Sequence, residues 1–389
     1  MQRLVITTVG TSLLTNQIDK TSDEENFWSE ELLRTAHYTD EMMLYSEQLI
    51  EIIEDLKFRA ENQLNGDIED FRKASAELNG IYGLYNNEIE KAKSDHHCLI
   101  YTDTAQGRYC AIMLENFLKS KGINNIERLY SENFSTNSNE QFMQGIANLL
   151  PILKQKICED YQGYTICFNL VGGFKAMQGY FNTIGMLYAD EIIYIFEGST
   201  NQIITIPKLP IIIDKLQVEK YAIPLAVMDI GQVPISWEPA NKVPQDWRTC
   251  TGQKIGLSIW GKLIWNECKN ELFSQDKLLN FPTFIKQLEY ESKFEDDYKN
   301  TSDLSKRIIL QEKLAKIAHL LINYRDGIGA LRKDDALRLR EYKEKPEIEH
   351  INITSKELKI SCQVINNNKL SLRYFGTHEH IYKKEGIKK

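Results

Sequence analysis

Leu4-Val5-Ile6-Thr7-Thr8-Val9-Gly10-Thr11-Ser12 opens the chain with an apolar, β-branched run that ends in a glycine and two hydroxyl residues. A buried strand that turns into a helix start reads this way. Similar runs at 98–102, 126–130, 165–170 and 191–196 are separated by stretches of helical spacing. Alternating β and α predicts an α/β Rossmann-like parallel sheet with helices on both faces. Ligands of such sheets bind outside the carboxyl ends of the strands. Three polar loops should gather there: 9–12 with Asn16 beyond it, 102–108, and 169–175. Their hydroxyls and backbone N–H groups near helix starts suit a small anion. The candidate ligand contacts are Gly10, Thr11, Ser12, Asn16, Thr104, Gln106, Gly107, Asn169, Gly173, Phe174 and Lys175. None of these loops is a Gly-x-Gly-x-x-Gly or a Gly-x-x-x-x-Gly-Lys-Ser/Thr, so a dinucleotide or P-loop site lacks its fingerprint.

The chain has 389 residues, 42% hydrophobic and 26% charged, a balance that excludes disorder and points to two or three folded domains. No apolar run is long enough to span a membrane, and the first residues do not resemble a cleavable leader, so a cytoplasmic protein with no membrane partner is expected. Seven scattered cysteines signal neither a disulfide framework nor a zinc site. Charge divides unevenly. From residue 281 onward 22 Lys and Arg face 17 Asp and Glu, a net of +5, which leaves −13 for the first 280 residues. The rear part is compatible with RNA phosphates and the front part is not. Six of nine prolines fall between Pro207 and Pro244, which suggests a connector. The expected organisation is a ligand-binding domain over 1–210 with a helical insertion at 20–95, a connector with a bridging helix over 211–280, and a second domain over 281–389.

That second domain reads as strand 284–290, helices 292–301 and 304–324, then strands 348–353, 357–365 and 369–375, a small α+β unit with an antiparallel sheet. Asn366-Asn367-Asn368 suits the hairpin turn between the last two strands. His350, His378 and His380 lie in the last forty residues beside Lys359, Arg373 and Tyr382. Cutting RNA without a metal needs a base for the 2′-hydroxyl, an acid for the departing 5′-oxygen and cations for the charge building on phosphorus, and these residue types supply all three. No acidic cluster has convincing metal-ligand spacing, so no metal is assigned.

Thr7 to Asn16, Thr102 to Arg108 and Gly172-Gly173-Phe174-Lys175-Ala176-Met177 together resemble the CRISPR-associated Rossmann fold, or CARF, sensor domain. The resemblance implies a homodimer that binds a cyclic oligoadenylate second messenger across its twofold axis, and cyclic tetra-adenylate fits that symmetry. It makes the three loops the messenger site. The rear domain resembles the RelE/ParE toxin fold. Arg338-Leu339-Arg340-Glu341-Tyr342 is similar to its basic loop, and Gly376-Thr377-His378-Glu379-His380-Ile381-Tyr382 to its terminal Gly-x-His-x-x-x-Tyr signature. The implied activity is that of an ancillary effector of type III CRISPR antiviral defence. It would be a messenger-activated, metal-independent mRNA endoribonuclease that works on the ribosome and blocks translation, with no cofactor for catalysis. The resemblance assigns His378 as acid or base, Tyr382 as its partner, and Lys359 and Arg340 as phosphate clamps. His350, His380 and Arg373 are further candidates, His350 standing where RelE enzymes often carry a lysine.

Three other readings compete. Arg373-x-x-x-x-His378 fits the spacing of HEPN ribonucleases, which would require a helix there, whereas the alternation of 370–374 favours a strand. Glu341-Tyr342-Lys343 with Asp334 or Asp335 would suit a metal nuclease. A ligand-gated module that binds a ribosome or protein through Arg338, Arg340, Lys343, Lys345, Lys383, Lys384, Lys388 and Lys389 needs no catalysis.

Overall fold

The run that opens the chain forms β1 (Arg3–Thr8), with Leu4, Val5 and Ile6 fully buried in the computed structural model. Residues 2–196, 202–354 and 357–387 are described. Lys388 and Lys389 lie outside them. The chain divides into two units, Met1–Ile212 and Ile213–Lys389.

In the first unit β2 (His96–Ile100), β3 (Ile126–Leu129), β4 (Thr165–Asn169), β5 (Glu191–Ile195) and β6 (Ile203–Pro207) join β1 in the order β3-β2-β1-β4-β5-β6. The first five run parallel, but β6 is antiparallel to β5. The sheet is therefore mixed rather than purely parallel, because the chain between Ile195 and Ile203 is too short for a crossover helix. Strand order reverses between β1 and β4, the place where a crevice opens in such sheets. The 20–95 insertion is helical, and Leu49, Ile52, Ile53 and Leu56 bury one stripe of its Glu47–Gln63 helix in a core shared with Leu99 and Leu114. Its Ala76–Leu84 helix begins at Ser75, whose hydroxyl accepts from the Leu78 N–H.

Residues 213–280 are not a free connector. They carry helices Lys215–Glu219, Ala222–Ile230 and Ile259–Ser274. They also form β7 (Val233–Pro234), β8 (Arg248–Thr251) and β9 (Lys254–Leu257), paired in the order β7-β9-β8. Leu225, Trp265 and Phe273 share one core with Leu314 and Leu372. The prolines that suggested a link punctuate short packed elements instead. Pro234 sits on the edge strand β7, where its missing N–H costs no ladder bond, and Pro239 stands at the start of a helix.

The main sheet of this unit runs β10-β14-β13-β12-β11, from β10 (Leu288–Tyr290), β11 (Arg340–Tyr342), β12 (Lys345–Asn352), β13 (Leu358–Ile365) and β14 (Lys369–Thr377). It is antiparallel except for β10, which lies parallel to β14. The expected first strand, 284–290, shrinks to Leu288–Tyr290 because turns occupy 284–287, where the Phe284 N–H donates to the Phe281 carbonyl and the Leu288 N–H to the Ile285 carbonyl. Asn366 and Asn367 adopt φ of 49° and 58°, as the β13–β14 hairpin demands. One sheet face (Ile351, Ile360, Phe375) joins the large core beneath helices Ser292–Lys299 and Leu304–Asn323. The other face, with Ile348 and Tyr374, packs against Ile381 of a terminal helix, His378–Glu385. Among the described residues no helix is long and apolar enough to cross a membrane.

Trp265 is fully buried. Trp265→Ala should therefore lower the stability of the second unit by about 3–5 kcal/mol in denaturant unfolding. A loss under about 0.5 kcal/mol, the range of surface substitutions, would return 213–280 to the status of a connector.

Candidate functional site

The loops at the β1/β4 reversal enclose a cavity of about 530 Å³ within the first unit. Gly10, Thr11, Ser12, Thr104, Gly107, Gly173 and Phe174 line it, as the sequence suggested. Gly10 and Gly173 are glycines for a reason: a Cβ on Gly10 would stand 2.8 Å from the Gly173 nitrogen, so a side chain there would force the two loops apart.

Four expected contacts do not line this cavity. Asn16 Nδ2 donates to the Lys73 carbonyl at 3.0 Å, and Gln106 Nε2 to the Leu32 carbonyl at 2.9 Å. Asn169 Nδ2 donates to the Glu77 carbonyl at 3.1 Å. These amides fasten the insertion to the sheet. Lys175 is exposed at the first position of helix Lys175–Tyr188. Sequence reasoning missed His37, Ala36, Leu33 and Thr136, which also line the cavity, and Glu77 behind it. Glu77 is fully buried, and its carboxylate accepts from the Gly10 N–H at 2.7 Å, the Ser12 hydroxyl at 2.7 Å and the Ser75 hydroxyl at 2.6 Å. The donors of Gly10 and Ser12 are thus turned inward, away from any ligand.

In the second unit the outward face of the sheet gathers most of the histidine candidates. Antiparallel pairing sets Arg340 opposite His350 and Asn352 opposite Lys359, so all four project from one face. The terminal helix starts at His378, capped by the Thr377 hydroxyl, and His378 and Tyr382 sit one turn apart on the same side. Their rings are 4.1 Å apart. Tyr382 meets Tyr342 edge-on at 5.5 Å, and Tyr342 lies 4.6 Å from His350. Tyr342, not foreseen as a site residue, joins the cluster because it alternates with Arg340 on β11. Its hydroxyl and the Nδ1 of His350 are buried without a hydrogen-bond partner. Burial, then the charges of Lys359, His378 and Arg340, push the His350 pKa down to about 4. Burial also lowers that of Lys359 and raises that of Tyr342.

Two candidates fall elsewhere. His380 turns to the opposite side of the helix, where its Nε2–H donates to Asp297 Oδ1 at 3.1 Å, and Gly376 leaves room for its ring. Arg373 stands on β14, not on a helix, and pairs with Glu385 at 2.9 Å and Glu291 at 3.1 Å. A HEPN-like Arg–His pair on one helix is therefore not formed. The carboxylates of the metal-nuclease alternative do not converge either. Asp334 bonds Lys316 at 2.8 Å and the turn N–H groups of Ala336 and Leu337, while Glu341 lies 3.9 Å from Arg332. Among the described residues no group of three His, Cys, Asp or Glu is placed to hold a metal ion.

Residues 72–209 match the model of a CRISPR-associated protein family (Cas_APE2256). The matched stretch lies inside the first unit and takes in Glu77 and the 102–108 and 169–175 loops. This likeness supports a CRISPR-related role for the chain. No curated protein matches the sequence.

The lowered pKa of His350 has a stability consequence with a definite sign. The unfolded chain protonates this residue near its ordinary 6.5, but the folded chain only near 4. Its contribution is complete above about pH 6.5 and is lost as the pH falls toward 4. Buried His97, also pushed down to about 4, adds a slope of its own in the first unit. The difference between wild type and His350→Gln removes that slope, and the wild type's advantage should shrink between pH 6.5 and 4. A pH-independent difference would mean that His350 is not held neutral.

Proposed function

We propose that the chain is a CRISPR-associated effector in which a cyclic oligoadenylate, held at the first unit's cavity, licenses RNA cleavage by the second unit. The observation that carries this reading is the convergence of Arg340, His350, Lys359, His378 and Tyr382 on one sheet face. A neutral imidazole is in the right protonation state to take the 2′-hydroxyl proton. The 2′-oxygen then bonds to phosphorus, the bond from phosphorus to the 5′-oxygen breaks, and His378 delivers a proton to that oxygen. Arg340 and Lys359 hold the phosphate between them and stabilise its added charge. Tyr382 packs its tilted ring against His378 and fixes its orientation. Burial depresses the pKa of His350 first and the neighbouring cations depress it further; a bound phosphate would neutralise that second contribution and move the base toward its working range.

The excess of cations from residue 281 onward supports RNA as the substrate. The family likeness of residues 72–209 supports a place in CRISPR defence. Messenger RNA on the ribosome is the proposed target, and a homodimer the proposed assembly, since a twofold ring of nucleotides matches an isologous interface. The ligand acts by preferring the cutting-competent state, so the protein without it is nearly silent.

The test is RNA cutting in a translating extract and on naked RNA, with cyclic tri-, tetra- and hexa-adenylate added separately. One ring size should switch cutting on. His378→Ala should slow it about 10²–10⁴-fold without changing ligand affinity. Equal cutting with and without every ligand would remove the gating, and full activity of His378→Ala would remove the assigned acid.

A further inference from the structure

Two of the donors that the sequence points at a ligand phosphate, the Gly10 N–H and the Ser12 hydroxyl, are already occupied. Glu77 takes the Gly10 N–H and the Ser12 and Ser75 hydroxyls, and the Ser12 oxygen in turn accepts from the Ala76 N–H at 3.0 Å. The neighbouring backbone is shaped around this carboxylate: a Cβ on Gly172 would fall 2.0 Å from Glu77 Oε1. Displacing it would break three hydrogen bonds and leave a fully buried charge unpartnered, so it is a fixed part of the floor rather than a group that moves aside for a ligand.

The rest of the lining agrees. Among the described residues around the cavity none is lysine or arginine. Leu33 and Val171 present aliphatic walls, Phe174 and His37 present rings, and Thr11 and Thr136 add hydroxyls. Aliphatic and ring surfaces with neutral hydrogen-bonding groups suit a flat, uncharged, polar-edged body such as a purine with its sugar, and they offer a dianionic phosphate no counter-charge. Lys175, the cation next to the 169–175 loop, is exposed and not part of the lining.

We propose that Glu77 is a built-in anion that bars phosphate from the 9–12 loop, so that the cavity receives a nucleoside portion of its ligand while the phosphates stay outside it. The identity of the whole ligand rests on the cyclic oligoadenylate reading above; the role of Glu77 does not.

The experiment compares adenosine, adenosine 5′-monophosphate, inorganic phosphate and cyclic tetra-adenylate on the full-length protein by calorimetry and thermal unfolding. Adenosine should bind the wild type, compete with cyclic tetra-adenylate and exceed the monophosphate in affinity, while inorganic phosphate should neither compete nor raise the unfolding midpoint. Glu77→Ala opens the donor set, so its lowered midpoint should rise saturably with acetate or phosphate, a response absent from the wild type. Glu77→Gln keeps an acceptor and the side-chain shape, and should narrow the preference for adenosine over its monophosphate. Competition by inorganic phosphate in the wild type, or an unchanged preference in Glu77→Gln, would overturn the proposal. Binding of adenosine with no binding of cyclic tri-, tetra- or hexa-adenylate, each titrated in the same way, would defeat the messenger reading and leave Glu77 its role. Tight binding of cyclic tetra-adenylate that inorganic phosphate displaces would do the reverse.

Discussion

A carboxylate buried between strand and helix organises the second unit. The Glu385 side chain is only 1% exposed, and it accepts from Arg373 Nε at 2.9 Å and Nη2 at 3.2 Å and from the Ser361 hydroxyl at 2.8 Å. These are charge-assisted bonds from two neighbouring strands to the last residue of the terminal helix. They fix one end of that helix on the sheet, and the Thr377 cap fixes the other, because β14 runs into it without a loop. His378 and Tyr382 are held over His350 and Tyr342 by this double anchorage. Loss of one partner of such a buried pair costs about 3–5 kcal/mol, enough to free the helix. Arg373 is conspicuous in the sequence as a cation near histidines, yet its place is in this anchor.

The two units treat charge in opposite ways. On the sheet face of the second unit, burial of His350, and after it the charges of Lys359, His378 and Arg340, keep that ring neutral. Such a concentration of cations around a half-buried base is what a phosphodiester would relieve. In the first unit the donors of Gly10 and Ser12 after β1 are satisfied by an internal carboxylate, and the cavity wall offers hydroxyls, rings and aliphatic groups instead of cations. One surface thus gathers cations, and the other presents neutral groups.

Much of this was legible in residue order, and what was not has identifiable causes. β1, β2, β4 and β5 are apolar runs with buried faces, so their pattern shows. β6 is half-buried only at Ile203 and Ile206 and exposed elsewhere, and it carries no such pattern. The prolines of 207–244 were legible as breaks but not as the ends of packed elements, since a helix start and an edge strand use proline as readily as a linker does. His378 and His380 look equivalent in a list of histidines. Once a helix begins at His378, two residues of separation turn them about 200° apart, toward the cluster and toward Asp297 respectively. Glu77 could not be foreseen, because its partners Gly10 and Ser12 are far away in the chain and a buried carboxylate leaves no hydrophobic periodicity.

A neutral imidazole and a facing helix-borne imidazole underlie one chemical proposal, that RNA is cut by transfer of protons through side chains. Its most direct measurement is the chemical nature of the new ends when ligand-activated protein cuts RNA in excess chelator. The account requires undiminished cutting that leaves 2′,3′-cyclic phosphates and 5′-hydroxyls. Ends bearing 3′-hydroxyls and 5′-phosphates, or cutting that stops when divalent ions are removed, would contradict it.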